Sequence, residues 1–366
     1  MSWGNRLRLT IFGESHGPAV GAVLEGLPAG EPVDMAGVLA QLARRAPGRD
    51  SSSTPRRESD EPRVVSGLLN GRTTGAPLCA VIANADTHSG DYAELRNIPR
   101  PGHADYPASV RYGGFNDGRG GGRFSGRLTA PLVFAGAVCR QILKRRGVTI
   151  GAHVLAVHGV RDEPFDPAGV PAALLETLSE RYFPTVRPEA ETAMRAKIEE
   201  ARRALDSVGG VVECAAVGFP AGFGGPLAEG AESSLASILF AIPACKGVEF
   251  GAGFGAADLF GSENNDPYYY DGGAVKTRTN NAGGILGGIT TGMPLLFRAA
   301  FKPTPSIARE QDSVNLAERK NAKLFVRGRH DPCVVPRAVP AVEAAAAVAL
   351  LDLLLAGNGG SGGGKP

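Results

Sequence analysis

The sequence predicts two related α/β halves packed into one domain, and three observations predict it. A twelve-residue block recurs, the strand and helix patterns around it follow the same order twice, and the composition suits a chain that buries a core. The first block is Gly67-Leu-Leu-Asn-Gly-Arg-Thr-Thr-Gly-Ala-Pro-Leu78 and the second is Gly284-Ile-Leu-Gly-Gly-Ile-Thr-Thr-Gly-Met-Pro-Leu295, with eight of 12 positions identical. A second pair, Gly26-Leu-Pro-Ala-Gly30 and Gly218-Phe-Pro-Ala-Gly222, keeps the same order at a smaller offset. Two blocks in order point to an internal repeat with insertions between them. With 366 residues, 43% of them hydrophobic and 21% charged, the chain buries a core without metal or disulfide support.

Alternation of apolar residues predicts strands at 7–12, 19–25, 78–83, 211–217 and 294–299. Helical periodicity covers 127–146, 190–206, 230–240 and 336–356. Each Thr-Thr-Gly block leads to a cationic-Pro step (Arg100-Pro101, Lys302-Pro303), then an Arg-rich loop, then an Ala/Leu/Val-rich helix. The halves are therefore expected at about 1–150 and 206–356, joined by 151–205, within a single domain 1–356. Residues 44–61 are polar and charged and are expected to form a mobile surface loop, and the Gly-rich tail 357–366 is expected to be disordered.

A net charge of +2 gives no global reason to expect nucleic acid or a membrane surface. The cysteines (79, 139, 214, 245 and 333) are scattered and never spaced as CxxC, which argues against a disulfide framework or a zinc site and fits a reducing cytoplasm. The most apolar tract, 339–355, is interrupted by Pro340, Glu343 and Asp352, so no membrane span is expected. Only eight of the 39 basic residues are lysine. Codon usage explains that bias as well as a functional choice of guanidinium forks for phosphate or carboxylate does.

Gly13-Glu-Ser-His-Gly17 satisfies the pattern of a hydrolase nucleophile elbow, but the motif counts only where a strand turns into a helix. Here Pro18-Ala-Val-Gly-Ala-Val23 is a second strand-like run, so Ser15 is not read as a nucleophile. His16 then stands in a Gly-flanked turn, either as a titrating group that reaches a ligand or as a histidine satisfying the turn. In Arg100-Pro-Gly-His-Ala-Asp105 the turn residues place His103 on a loop, with Asp105 placed either to orient the ring or to start the next element. The segment Gly118-Arg-Gly-Gly-Gly-Arg-Phe-Ser-Gly-Arg127 frees backbone N–H groups for an anion and spaces Arg119, Arg123 and Arg127 to converge at a helix N-terminus. A phosphate or polycarboxylate site is the natural reading, and an Arg/Gly-loop anion or nucleic-acid binder is the alternative. The Gly-rich run 279–288 lacks dinucleotide and P-loop fingerprints. Lys302-Pro-Thr-Pro-Ser306 offers a cation and two hydroxyls, and Arg327-Gly-Arg-His-Asp-Pro332 adds Arg327, Arg329, His330 and Asp331. No His/carboxylate set has metal-ligand spacing.

Taken together, GESHG (13–17), RPGHAD (100–105), GRGGGRFSGR (118–127), TNNAGGILGGI (279–289), KPTPS (302–306) and GRHDPC (328–333) resemble the chorismate synthase family in order, over about residues 3–355. The resemblance implies an α+β fold of β-α-β sandwich protomers assembled as a cytoplasmic homotetramer. It also implies an anti-1,4-elimination of phosphate from 5-enolpyruvylshikimate 3-phosphate, giving chorismate with reduced FMN as cofactor. It implies catalytic roles for His16, His103 and Asp331: protonation of the leaving phosphate, protonic control of the flavin, and assistance to ring-proton removal. Flavin contacts carried over by motif are Arg123, Phe124, Ser125, Ala244, Gly287, Lys302, Pro303, Thr304, Pro305, Ser306 and Arg329. Substrate contacts are Ser15, Arg45, Arg127 and Arg337, with Arg45 also facing NADPH if the chain reduces its own flavin; a separate flavin reductase is the other route. The sequence departs from the family at Phe124, where many members have Ser, at Pro243, where many have Asn, and at Ser51, where a second arginine is expected and Arg49 stands nearby.

Overall fold

The protein is described here by a computed structural model, which places residues 2–48, 60–84, 94–326 and 331–357. Its first sheet begins with the antiparallel pair β1 (Arg8–Gly13) and β2 (Ala19–Glu25), joined by the GESHG turn. Helix α1 (Met35–Arg45) follows, capped by the Asp34 carboxylate, which accepts from the N–H groups of Ala36 and Gly37. The chain then forms the edge strand β3 (Pro62–Ser66) and returns as β4 (Leu78–Ala83) between β2 and β3. After the short α2 (Asp105–Arg111) comes α3 (Thr129–Arg145).

The second sheet repeats this connectivity. Strand β5 (Thr149–Val157) pairs antiparallel with β6 (Gly210–Val217), and the connection between them carries α4 (Ala172–Leu178) and α5 (Pro188–Arg203). Then come α6 (Ala231–Leu239), β7 (Cys245–Phe250), the short α7 (Gly261–Asn264), and β8 (Leu295–Phe301), which inserts between β6 and β7. The long α8 (Val335–Ala356) closes the fold. Apart from a two-residue edge strand in each (Ser2–Trp3 and Val160–Arg161), both sheets run first, second, fourth, third strand, and each Thr-Thr-Gly block lies just before the returning strand. We infer from this shared connectivity that the halves are a repeat. Residues 149–157 form β5 of the second sheet, so the stretch from 151 expected as a connector begins inside a strand.

A layer of helices lies between the two sheets, giving an α+β sandwich in which α3 packs along α8, flanked by α1 and α6. Small residues allow the close approach: a Cβ on Gly136 of α3 would sit 2.3 Å from Ala344 of α8. Helix α8 has the length and apolarity of a membrane span but is buried almost throughout. Its two carboxylates are structural staples. Glu343 pairs with Arg44 (2.6 Å) and Arg140 (3.2 Å) and accepts from Ala152 N, while Asp352 accepts from the N–H groups of Arg6 (2.8 Å) and Leu7 (2.7 Å). The outer face of the second sheet is covered by Phe165, Val170, Leu175 and Leu178, so β5 is buried on both faces.

The expected surface loop 44–61 needs correction at its ends. Arg44, Arg45, Ala46, Pro47 and Asp60 are buried, because α1 extends through Arg45 and turns its last basic residues inward. Residues 49–59, which include Arg49 and Ser51, and the tail beyond 357 lie outside the described residues.

Candidate active site

The loop after β4 and the loop after β8 meet above the N-termini of α3 and α8, and between them lies a cavity of about 640 Å³. Six arginines and lysines line it (Arg45, Arg100, Arg123, Arg127, Lys302, Arg337), together with His103, against a single acidic residue among the described ones, Asp331. Phe124, Ile242, Phe301 and Val334 supply an apolar wall. Two helix N-termini without acidic residues in their first turns add to the positive field. The cavity therefore combines clustered cationic donors with an apolar wall, a setting that suits an anionic ligand.

Buried carboxylates behind the arginines fix their forks. Asp60, wholly buried, pairs with Arg45 at 3.3 Å and with Arg127. Arg127 also donates from Nε to Asn84 Oδ1 (2.8 Å) and from Nη2 to Ala83 O (3.0 Å). Arg337 pairs with Asp331 at 2.6 Å and donates to Arg45 O at 3.0 Å. Arg100 reaches both oxygens of Asp105 and donates to Ser306 Oγ at 3.1 Å. Burial and the neighbouring Lys246 push the Lys302 ammonium below its usual value. The Cys245 thiol, also in the wall, is pushed up by burial and offers no thiolate.

A strip of three glycines separates the two candidate histidines. Gly120, Gly121 and Gly122 all have positive φ (61°, 105° and 52°), a run that only glycine adopts without strain. A Cβ on Gly120 would sit 2.0 Å from His16 Cε1, and one on Gly121 would sit 3.1 Å from His103 Nε2. The strip is pinned by Ser15, which donates from N to Gly122 O (3.1 Å) and from Oγ to Arg119 O (3.2 Å), and whose Oγ lies 3.1 Å from His16 Nδ1. The GESHG turn is a β-hairpin turn with Ser15 buried, which removes the nucleophile-elbow reading. The glycine loop is folded, with Gly121 and Gly122 buried, unlike a flexible Arg/Gly binder.

The structure brings most of the sequence-predicted residues into the cavity wall: His103, Arg123, Phe124, Ser125, Ala244, Lys302, Thr304, Pro305, Ser306, Asp331, Arg45, Arg127 and Arg337. Ser15 and His16 sit one backbone layer behind it, beneath Gly120, which lines the cavity and touches His16. Pro303 is exposed beside the wall. Gly287 is exposed at the turn of the hairpin Ile285–Leu286/Ile289–Thr290, outside the cavity lining. Arg329 and His330 lie outside the described residues. The arginines of the glycine loop do not converge: Arg119 turns outward and pairs with Asp117 at 2.7 Å. Asp60 and Asn84 are site-building residues that motif reading missed, and Arg100, quoted within RPGHAD, was given no role there. The one signal for Asp60 was an acidic residue ending a basic loop.

Comparison with known proteins agrees with the cavity's chemistry. The sequence model of the family described as chorismate synthase matches residues 7–355. The chain is similar to a chorismate synthase of Thermococcus kodakarensis (48% identical over 352 residues, 96% of this chain and 97% of the relative). It is also similar to one of Thermococcus gammatolerans (49% over 357 residues, 96% and 97%). Among solved structures it resembles a crystal structure of chorismate synthase with a TM-score of 0.76 at 28% identity, covering 98% of this chain and 94% of that one.

Proposed function

The chain belongs to the chorismate synthase family and is a lyase, and from that premise we propose how its cavity carries the reaction. The substrate is 5-enolpyruvylshikimate 3-phosphate, from which a carbon–oxygen lyase acting on phosphates releases phosphate by anti-1,4-elimination to leave chorismate. The observation that carries this reading is the excess of fixed cations over Asp331 in one apolar-walled cavity. A substrate with a phosphate and two carboxylates needs several pre-oriented donors, and Arg45, Arg127 and Arg337 are held in place by Asp60 and Asp331.

The same cavity fits reduced FMN, because its wall combines Phe124 and Ile242 with the cations Arg123 and Lys302 around a volume suited to a cofactor-sized ligand. Arg123, Phe124, Ser125, Ala244 and Lys302–Ser306 would hold it, with Arg329 from the segment outside the described residues. Held there, reduced FMN would supply electron density for the elimination without net redox change. Ala244 lines that wall at φ 71°, a strained position for a residue with a Cβ, and its carbonyl accepts from Lys302 N at 3.0 Å. Phe124 supplies ring area where many relatives carry a hydroxyl, so the flavin contact there is apolar.

His103 holds a proton at the cavity wall, His16 delivers one toward the departing phosphate from behind Gly120, and Asp331 assists removal of the ring proton. Arg45 would serve NADPH when that is the reductant, and a separate reductase is the alternative supply. The enzyme works in the cytoplasm as a homotetramer. The exposed aromatics Phe254, Phe260, Tyr268 and Tyr270, clustered in one excursion of the second half, favour such an assembly. The test is anaerobic: protein, substrate and dithionite-reduced FMN, with oxidised-FMN and NADPH-plus-FMN arms, following chorismate and phosphate. Product only with reduced flavin is the expected outcome, and no product from folded protein in any arm refutes the reading.

A further inference from the structure

The role proposed for His103 leaves open which of its nitrogens faces the reactants, and the geometry around Asp105 answers that. Asp105 Oδ1 lies 2.6 Å from His103 Nδ1. Arg100 occupies the rest of the carboxylate: its Nε donates to Oδ2 at 2.7 Å, its Nη2 to Oδ1 at 2.8 Å and its backbone N to Oδ2 at 3.0 Å. Burial opposes ionisation of Asp105, but the hydrogen bonds from Arg100 and His103 outweigh it and hold the carboxyl well below the usual carboxylate range. An ionised carboxylate only accepts hydrogen bonds, so the proton in the 2.6 Å contact sits on Nδ1.

Arg100 Nη2 also lies 3.2 Å from Nδ1. A guanidinium only donates, so Arg100 bonds Nδ1 only in the opposite tautomer; the two contacts compete for Nδ1, and the shorter approach of a charged carboxylate outweighs the longer one. The far nitrogen, Nε2, is turned to the Gly121 backbone, where φ of 105° and the absence of a Cβ leave room beside the ring.

We propose that Asp105 is a positioning residue that locks His103 in the Nδ1–H tautomer and so makes Nε2 the nitrogen that exchanges protons with the reactants. The catalytic weight of this lock rests on the function proposed above; the lock itself does not. A bland alternative is that Asp105 merely starts α2, of which it is the first residue. That role predicts a loss of stability on substitution but no change in the imidazole.

The test uses full-length enzyme labelled with ¹⁵N-histidine, its His103 signals assigned by their loss in His103→Gln. In the neutral-ring form, the wild type is expected to show the Nδ1–H pattern. Asp105→Asn should transfer a large share to Nε2–H and lower kcat by about 10²-fold with KM nearly unchanged, a loss of the size that a wrongly held catalytic histidine produces. Asp105→Glu, which keeps the carboxylate, should recover the Nδ1–H pattern and part of the rate. Should Asp105→Asn fail to fold, Gly121→Ala probes the other side: it crowds Nε2 and should cost about tenfold in kcat while the Nδ1–H pattern stays. An Asp105→Asn enzyme with an unchanged tautomer, or a Gly121→Ala enzyme with full turnover, overturns the proposal. A shifted tautomer with undiminished turnover upholds the lock and sinks the catalytic reading of His103 instead.

Discussion

His103 and His153 are both held by carboxylates, yet they sit in opposite settings. His103 has Asp105 on Nδ1, Gly121 beside Nε2, and a place in the cavity wall. His153, on β5 of the second sheet, is wholly buried between two carboxylates, with Asp162 at 2.9 Å on Nδ1 and Glu213 at 3.0 Å on Nε2. Its ring packs against Phe165 at 4.5 Å between centroids, and Glu213 is tied onward to Arg298 at 2.9 Å. An imidazole with both nitrogens committed to carboxylates is a cation with no proton to give. The difference teaches that a carboxylate partner does not make a histidine catalytic; an unspent nitrogen facing a ligand-sized space does.

The sharpest way to break the comparison is to delete each ring. His153→Ala leaves two buried carboxylates facing each other, and removing one partner of a buried ion pair costs about 3–5 kcal/mol. The melting temperature should fall by roughly 6 °C or more, while the protein that remains folded turns over normally. His103→Ala should do the reverse: turnover falls by about 10²-fold or more, the scale of a general acid–base contribution, with melting unchanged within about 2 °C. Calorimetry and anaerobic turnover on both variants decide it. If His153→Ala loses rate and His103→Ala loses stability, the two roles have been exchanged.

How much of this contrast was legible in the sequence depends on how local each signal is. The hairpin around GESHG and the helices at 129–145 and 335–356 could be read because period and turn chemistry are set by neighbouring residues. The cavity residues near His103 were legible through motifs. His153 stands in none of the motifs, and its partners Asp162 and Glu213 lie nine and 60 positions away, so no spacing announces the triad. Strand β5 was hidden for a related reason: buried on both faces, it lacks the alternation that marks a half-exposed strand. Helix α1 was readable from Asp34 and its basic last turn, but the charged stretch that follows drew attention to a loop. The ion-pair frame of Asp60 joins a loop end to α1 and to the glycine loop, and only tertiary structure brings those together.

A smaller perturbation sharpens the catalytic side. Gly120→Ala places a Cβ where His16 Cε1 now lies, 2.0 Å away, at a φ of 61° that alanine adopts at a cost of roughly 1 kcal/mol. The ring must move, and a displacement of that size should lower turnover by about tenfold or more, with only a slight loss of stability. Steady-state rates beside a melting curve check this. Unchanged turnover would mean that His16 has no positional demand and belongs with His153.

The smallest expected effect lies in how stability responds to pH, and its sign follows from the triad. The two carboxylates raise His153 above its ordinary value against the opposing burial, so its contribution is complete below about pH 6.5 and is lost as pH rises through the folded value. Asp162 and Glu213 are held below their ordinary values, mainly by His153 and by backbone N–H groups, despite burial. Their contribution is complete above about pH 4.5 and is lost as pH falls through their folded values. Because the three charges form one network, stability should be level from about pH 4.5 to 6.5 and decline on either side. His153→Gln, which keeps a polar group of similar size, should lose the alkaline decline. His103→Gln should keep it, because the triad is untouched. Melting curves from pH 4 to 9 on the three proteins separate the cases, and a wild-type alkaline slope that survives in His153→Gln would assign it to some other group. A histidine sealed between carboxylates reports its protonation through the stability of the whole fold, whereas one that opens on a cavity reports through the rate.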